Sequence, residues 1–147
     1  MSQDFENMGF PEGKRYNSFV GYFRRKYGER LQKIVLDAGF TCPNRDGKIG
    51  YGGCIFCSAQ GSGDFAGSAS LSITKQLAQG KKDLLSKRPV HSYIAYFQAF
   101  TNTYAPVKYL KKIYMEAIQD PEVKILSIAT RPDCLPDDVL DLLGEIN

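Results

Sequence analysis

The chain has 147 residues, 43% hydrophobic and 24% charged, which excludes a disordered tail and suits one globular domain. Nineteen basic against sixteen acidic side chains leave a formal charge of +3, too mild to imply a nucleic-acid partner by itself. No apolar run approaches a membrane span, and Met1 to Glu6 lack a basic region followed by an apolar core. No membrane association and a cytoplasmic location are therefore expected.

Residues 1–17 carry Gly, Pro and mixed charge and read as an irregular arm. The spacing of Phe19, Tyr22, Phe23 and Tyr27 predicts a helix, with Asn17 or Ser18 as N-cap and Gly28 as stop. Lys14, Arg15, Arg24, Arg25, Lys26, Arg30 and Lys33 surround it, opposed only by Glu29. Aromatic rings interleaved with such charges suit RNA. The same spacing also describes an amphipathic helix with its rings on the core and a solvated basic face. Residues 1–30 are thus set apart as an arm plus basic amphipathic helix, and residues 31–147 as the core.

Leu31 to Ala38 reads as a strand, β-branched at its centre and closed by Gly39. Residues 39–71 then hold eight glycines and no convincing helix or strand. Loops beyond roughly 12–15 residues are uncommon in compact domains and are usually functional or disordered. Here the stretch Cys42-Pro43-Asn44-Arg45-Asp46-Gly47-Lys48-Ile49-Gly50-Tyr51-Gly52-Gly53-Cys54-Ile55-Phe56-Cys57 decides for function. Crowded loop thiols are reactive and add little packing, so they need a chemical reason.

A helix begins near Ser72, with Ile73, Leu77, Leu84 and Leu85 inward and Pro89 at its end. Gly80 weakens it by up to about 1 kcal/mol relative to alanine. Ser92 to Gln98 is a near-continuously apolar strand, as expected when both faces are covered. The next helix starts at Pro106, a favoured first position, and buries Val107, Leu110, Ile113, Tyr114, Ala117 and Ile118. Val123 to Ala129 forms a third strand, followed by Thr130-Arg131-Pro132-Asp133-Cys134. The last helix starts at Pro136, places Asp137 and Asp138 at its positive end, and buries Val139, Leu142, Leu143 and Ile146.

Alternating strands and helices imply a parallel sheet with right-handed crossovers, whose ligands bind at the carboxyl ends of the strands. Cys42, Cys54 and Cys57, then Gln98 to Asn102, then Arg131 to Cys134 all follow strands and fall at that edge. The lone His91 precedes a strand and reads as a surface residue. In a cytoplasmic setting such cysteines point to metal or catalysis and not to a disulfide framework. Two metal readings follow. Zinc would recruit Cys134 as a fourth thiolate, in a zinc-stabilised nucleic-acid-binding module. A 4Fe–4S cluster would take Cys42, Cys54 and Cys57 and leave one iron open, with Gly50, Gly52 and Gly53 allowing close wrapping.

With Cys42-x11-Cys54-x-Phe56-Cys57 after the first strand of a β/α repeat, the chain resembles the radical S-adenosylmethionine (SAM) superfamily. The family's usual short first gap is expanded. Cys-Pro-Asn-Arg-Asp-Gly and Gly-Gly-Cys-Ile-Phe-Cys resemble an uncharacterised bacterial subfamily, and Thr130-Arg131-Pro132-Asp133 resembles a segment of elongator-type members that act on tRNA. The resemblance runs from about Tyr16 to the end. It implies an α/β fold of parallel β/α repeats forming the N-terminal half of a partial (β/α)6 TIM-like barrel, three units long and truncated. It implies an enzyme in which Cys42, Cys54 and Cys57 ligate a 4Fe–4S cluster and SAM chelates the open iron. Phe56 would pack near the adenine. Gln98 and Asn102 would assist at the SAM amino group, where many relatives carry a Gly-Gly-Glu-like segment. Arg131 would meet the SAM carboxylate or else pair with Asp133 or Asp137. Reductive cleavage of SAM to a 5′-deoxyadenosyl radical would draw its electron from an external donor of flavodoxin or ferredoxin type. Ala129 stands where the elongator-type segment has a glutamate, which separates this chain from their tRNA chemistry and leaves RNA as a candidate substrate only.

Overall fold

The helices of the computed structural model, which describes residues 15–87 and 89–147, start at side chains suited to the task. Of the arm read over residues 1–17, residues 1–14, Lys14 included, lie outside the described residues. Helix α1 (Phe19–Tyr27) follows Ser18, whose hydroxyl accepts the Gly21 N–H at 3.0 Å. It ends at Gly28, whose φ of 76° lets its N–H reach back to the Arg24 carbonyl. Helix α2 (Ile73–Leu85) follows Ser72, which caps Lys75 N–H in the same way. Helices α3 (Val107–Ile118) and α4 (Asp137–Ile146) begin one residue after Pro106 and Pro136, so each proline caps its helix instead of opening the first turn. A single 3₁₀ turn, Pro132–Cys134, precedes α4 and was not legible in the periodicity.

Strands β1 (Gln32–Leu36), β2 (Tyr93–Phe97) and β3 (Val123–Ile128) pair in parallel in that order, Ile34 beside Ala95 and Ala95 beside Leu126. One face buries Ile34, Leu36, Tyr93, Ala95 and Phe97 beneath Leu77 of α2, Leu110 and Tyr114 of α3, and Val139 and Leu142 of α4. On the other face Phe23 and Tyr27 of α1 pack on Ile94 and Ile125. A nine-residue helix over so narrow a sheet fully buries one ring, Phe23; Phe19 and Tyr22 stay 56% and 42% exposed, so the reading that put the rings on the core holds for only part of the stripe.

The expected half of a partial (β/α)6 TIM-like barrel is corrected by this architecture. The chain forms an open three-stranded sheet, too small for that barrel. Closure requires a full circuit of tilted, staggered strands with no free edge. Here, moreover, α1 lies across the face that a barrel would turn inward. Among the described residues no helix is long and apolar enough to cross a membrane.

The carboxyl ends of all three strands share one edge, and backbone bonds stitch the loops that leave it. Thr101 N–H donates to Thr41 O, Asn102 N–H to Ala129 O, and Ala129 N–H to Phe97 O. Buried Gln76 accepts the Asp37 N–H at 2.9 Å and returns its own amide to Asp37 O at 2.7 Å, tying the start of the long loop to α2. His91 lies at the opposite edge and is exposed, 4.0 Å from Glu122.

Candidate metal centre

The long loop gets its shape from short-range bonds, not from regular structure. Arg45 and Asp46 N–H groups fold back on Cys42 O, and Ile49 and Gly50 N–H groups on Pro43 O. Gly53 N–H returns to Asn44 O, and Cys57 N–H to Cys54 O. Gly67 N–H then meets Val35 O, so the loop closes against β1. Gly53 has a φ of 84°, and a Cβ there would lie 2.8 Å from Arg45 Nε. Phe100 is one of two non-glycine residues at positive φ among those described. Its ring packs where a Gly61 Cβ would fall, and it carries the Arg45 guanidinium at 5.3 Å. Backbone strain held by packing in this way is characteristic of binding sites.

A cavity of about 380 Å³ opens at this edge and is lined by Cys42, Cys54 and Cys57 together with Phe56, Gln98 and Arg131. Arg45, Phe100 and Thr101 complete much of its wall, and no carboxylate lines it. Phe56 is an 85% exposed rim residue. Asn102 stands apart from this group. It is fully buried, its side-chain amide donates to Ala129 O at 2.9 Å, and its backbone carbonyl accepts the Tyr114 hydroxyl. Its place is therefore beneath the cavity, clamping the loop after β2 to the end of β3.

Burial pushes the Cys42 thiol up, but contacts from the Thr101 side chain, the Asn44 backbone and the Arg131 guanidinium outweigh it and hold the thiol below its ordinary value. Arg131 grips Asp133 through two parallel bonds of 2.9 and 2.7 Å, which draws the Asp133 carboxyl below the usual carboxylate range. Of the partners considered for Arg131, Asp133 is engaged, and both Arg131 and Cys42 line the same cavity. Cys134 is buried and has its thiol raised, first by burial and then by Asp133. It lines a separate cavity of about 560 Å³ with Lys48, Tyr104 and Asp133.

All four cysteines are free thiols. Among the described residues no group of three or more His, Cys, Asp or Glu side chains is placed to hold a metal ion. The three loop thiols share a cavity wall and do not form such a group. An all-sulfur donor set is soft and suits iron–sulfur or zinc over magnesium or calcium. Thiols spread around a cavity with two guanidinium groups and no carboxylate fit a bulky, anionic cluster better than one ion. Residue spacing revealed neither Arg45 as part of this wall nor Asn44 as the donor to the Cys54 thiol. The signal available was the phrase Cys42-Pro43-Asn44-Arg45, whose polar residues have no evident role except at the loop.

Against known proteins, no family model matches the chain and no solved structure matches it. It is 48% identical over 145 residues to "Uncharacterized protein YtqA" of Bacillus subtilis (strain 168), an overlap of 97% of this chain and 45% of that protein. It is 45% identical over 132 residues to "Protein YhcC" of Escherichia coli (strain K12), covering 90% of this chain and 41% of the relative. "Uncharacterized protein MJ0486" of Methanocaldococcus jannaschii is 34% identical over 137 residues, 92% of this chain and 41% of its own length. The chain thus spans less than half the length of these curated relatives.

Proposed function

We propose that this chain is the cluster-binding portion of a radical SAM enzyme, with Cys42, Cys54 and Cys57 as the thiolate ligands of a 4Fe–4S cluster. The observation that carries the reading is one cavity at the carboxyl edge of the sheet, lined by three free thiols and two guanidinium groups without a carboxylate. When bound, a reduced cluster and SAM together supply cleavage of a carbon–sulfur bond and hydrogen abstraction from a substrate.

The protein's part is to hold and shield. Cys42, favoured as thiolate by Thr101, Asn44 and Arg131, is prepared to ligate. Arg45 supplies positive charge toward anionic groups in the cavity, and Arg131 lines it while sharing its charge with Asp133. Phe56 offers an aromatic face at the rim, and Gln98 offers an amide inside it. Reduction would draw on an external electron donor of flavodoxin or ferredoxin type, to which the exposed rings of Tyr51 and Phe56 offer apolar surface.

Anaerobic reconstitution tests the reading. The chain should take up about four irons with a broad visible absorbance. Alanine at Cys42, Cys54 or Cys57 should abolish uptake, whereas Cys134→Ala, in the other cavity, should not. One tightly held zinc, no iron, and dependence on Cys134 would overturn it.

A further inference from the structure

Eleven residues separate Cys42 from Cys54, yet the two thiols line one cavity. Left flexible, a gap of that length would cost loop-closure entropy each time the two thiols were brought together. The structure shows how the gap is closed. The chain after Cys42 turns at once, with Arg45 and Asp46 N–H groups on Cys42 O at 2.8 and 3.2 Å. Gly53 N–H then donates to Asn44 O at 2.9 Å, so residues 45–52 form an excursion whose base is shut. Across that base the Asn44 side-chain amide donates to Cys54 Sγ at 3.1 Å. Arg45 spans the next step. Its guanidinium lies where any Gly53 side chain would fall and donates to the carbonyls of Ser58 and Ala59, beyond Cys57.

We infer that Asn44 and Arg45 are positioning residues that short-circuit the expanded gap. With Asn44 clipped to Cys54, the second thiol is held beside a residue two places after the first, and residues 45–52 are looped out of the path between ligands. Arg45 ties the segment before Cys54 to the segment after Cys57, so all three thiols move as one unit. Asn44 has a further effect that rests on the cluster reading. An N–H donated to a ligand sulfur stabilises the more negative, reduced cluster and raises its potential.

The experiment uses the full chain carrying Asn44→Leu or Arg45→Met, with Lys48→Ala at the excursion as control. In metal-free protein with Cys57→Ser and Cys134→Ser added, a bifunctional thiol reagent long enough to span the cavity reports whether Cys42 and Cys54 keep their places on its wall. The two test substitutions should lower the cross-link yield, and Lys48→Ala should leave it unchanged. In reconstituted protein with its cysteines intact, Asn44→Leu should lose iron to a chelator roughly tenfold more readily. Its midpoint potential without SAM should move to a more negative value, a shift that mere loosening of the loop does not predict. Unaltered cross-linking and potential in both variants overturn the inference. If Asn44→Leu fails to fold, the near-isosteric Asn44→Asp, which lacks the amide donor, makes the same comparison. If the unsubstituted chain takes up no iron, the cluster reading fails and the cross-link yields alone decide the positioning claim.

Discussion

Replacing Gly80 by alanine sets two effects of known size against each other. Helix propensity favours the change, since glycine in a helix interior is about 1 kcal/mol worse than alanine. Tertiary contact opposes it. A Cβ on Gly80 would lie 2.4 Å from Ile34 Cγ2 and 3.3 Å from Ile34 Cγ1. Ile34 is 4% exposed on β1, and its branched side chain has little rotamer freedom with which to retreat. Helix and strand must therefore separate, and forcing a methyl group into a filled core typically costs 1–3 kcal/mol, here about 2–3 given the depth of the overlap. The contact outweighs the propensity, for a net destabilisation of about 1–2 kcal/mol, or roughly 3–8 °C in melting temperature for a chain this size. Urea unfolding followed by far-ultraviolet circular dichroism measures it, with a midpoint shift at constant slope as the signature. Ile34→Ala removes both clashing carbons, so Gly80→Ala on that background should become neutral or stabilising, a coupling above about 1 kcal/mol. A higher urea midpoint for Gly80→Ala alone refutes the argument and restores propensity as the deciding effect.

Tyr114→Phe should cost about 1–3 kcal/mol in the same assay with little change in secondary structure, because the buried Asn102 carbonyl loses the hydroxyl that satisfies it. Lys81→Met should cost about 1–2 kcal/mol at neutral pH, since Asp120 and Glu122, each 2.6 Å from the ammonium, lose their partner in a part-buried site. Burial lowers the Lys81 pKa, but its bonds to Asp120 and Glu122 raise it overall; the contribution is thus complete below the ordinary lysine value and fades only as pH climbs through the raised one, so the difference from Lys81→Met should vanish in strong alkali. In metal-free protein, iodoacetamide should modify the three part-exposed loop thiols well before Cys134, which is buried and less ionised; equal rates, read by peptide mass spectrometry, would contradict its placement.

What was legible in the residues was what acts over a few positions. Ser18 and Ser72 cap helices because their hydroxyls reach an N–H three residues on, and Gly28 stops one because it can take a positive φ. The parallel order of the strands followed from their alternation with helices, and that order alone brings the ends of β1, β2 and β3 to one edge. The gathering of Cys42, Cys54, Cys57, Gln98 and Arg131 at one cavity is thus a consequence of topology that residue types could anticipate.

What stayed hidden depends on which distant group a side chain meets. Asn102 carries a polar amide in a polar segment and reads like a ligand-binding residue, yet its side-chain N–H donates to Ala129 O and its backbone carbonyl accepts from Tyr114. Gly80 reads as a weak point in a helix until Ile34 is placed against it. Phe19 and Tyr22 share the helical spacing of Phe23, but the sheet beneath is too narrow to cover them. The cysteine gap shows both behaviours within sixteen residues. The thiols declare themselves by type and spacing, because few roles other than metal or redox chemistry explain such crowding. Asn44 and Arg45 do not, because their effect is to cancel the apparent length of the gap, and a bond that closes a loop leaves no mark on the spacing it overrides.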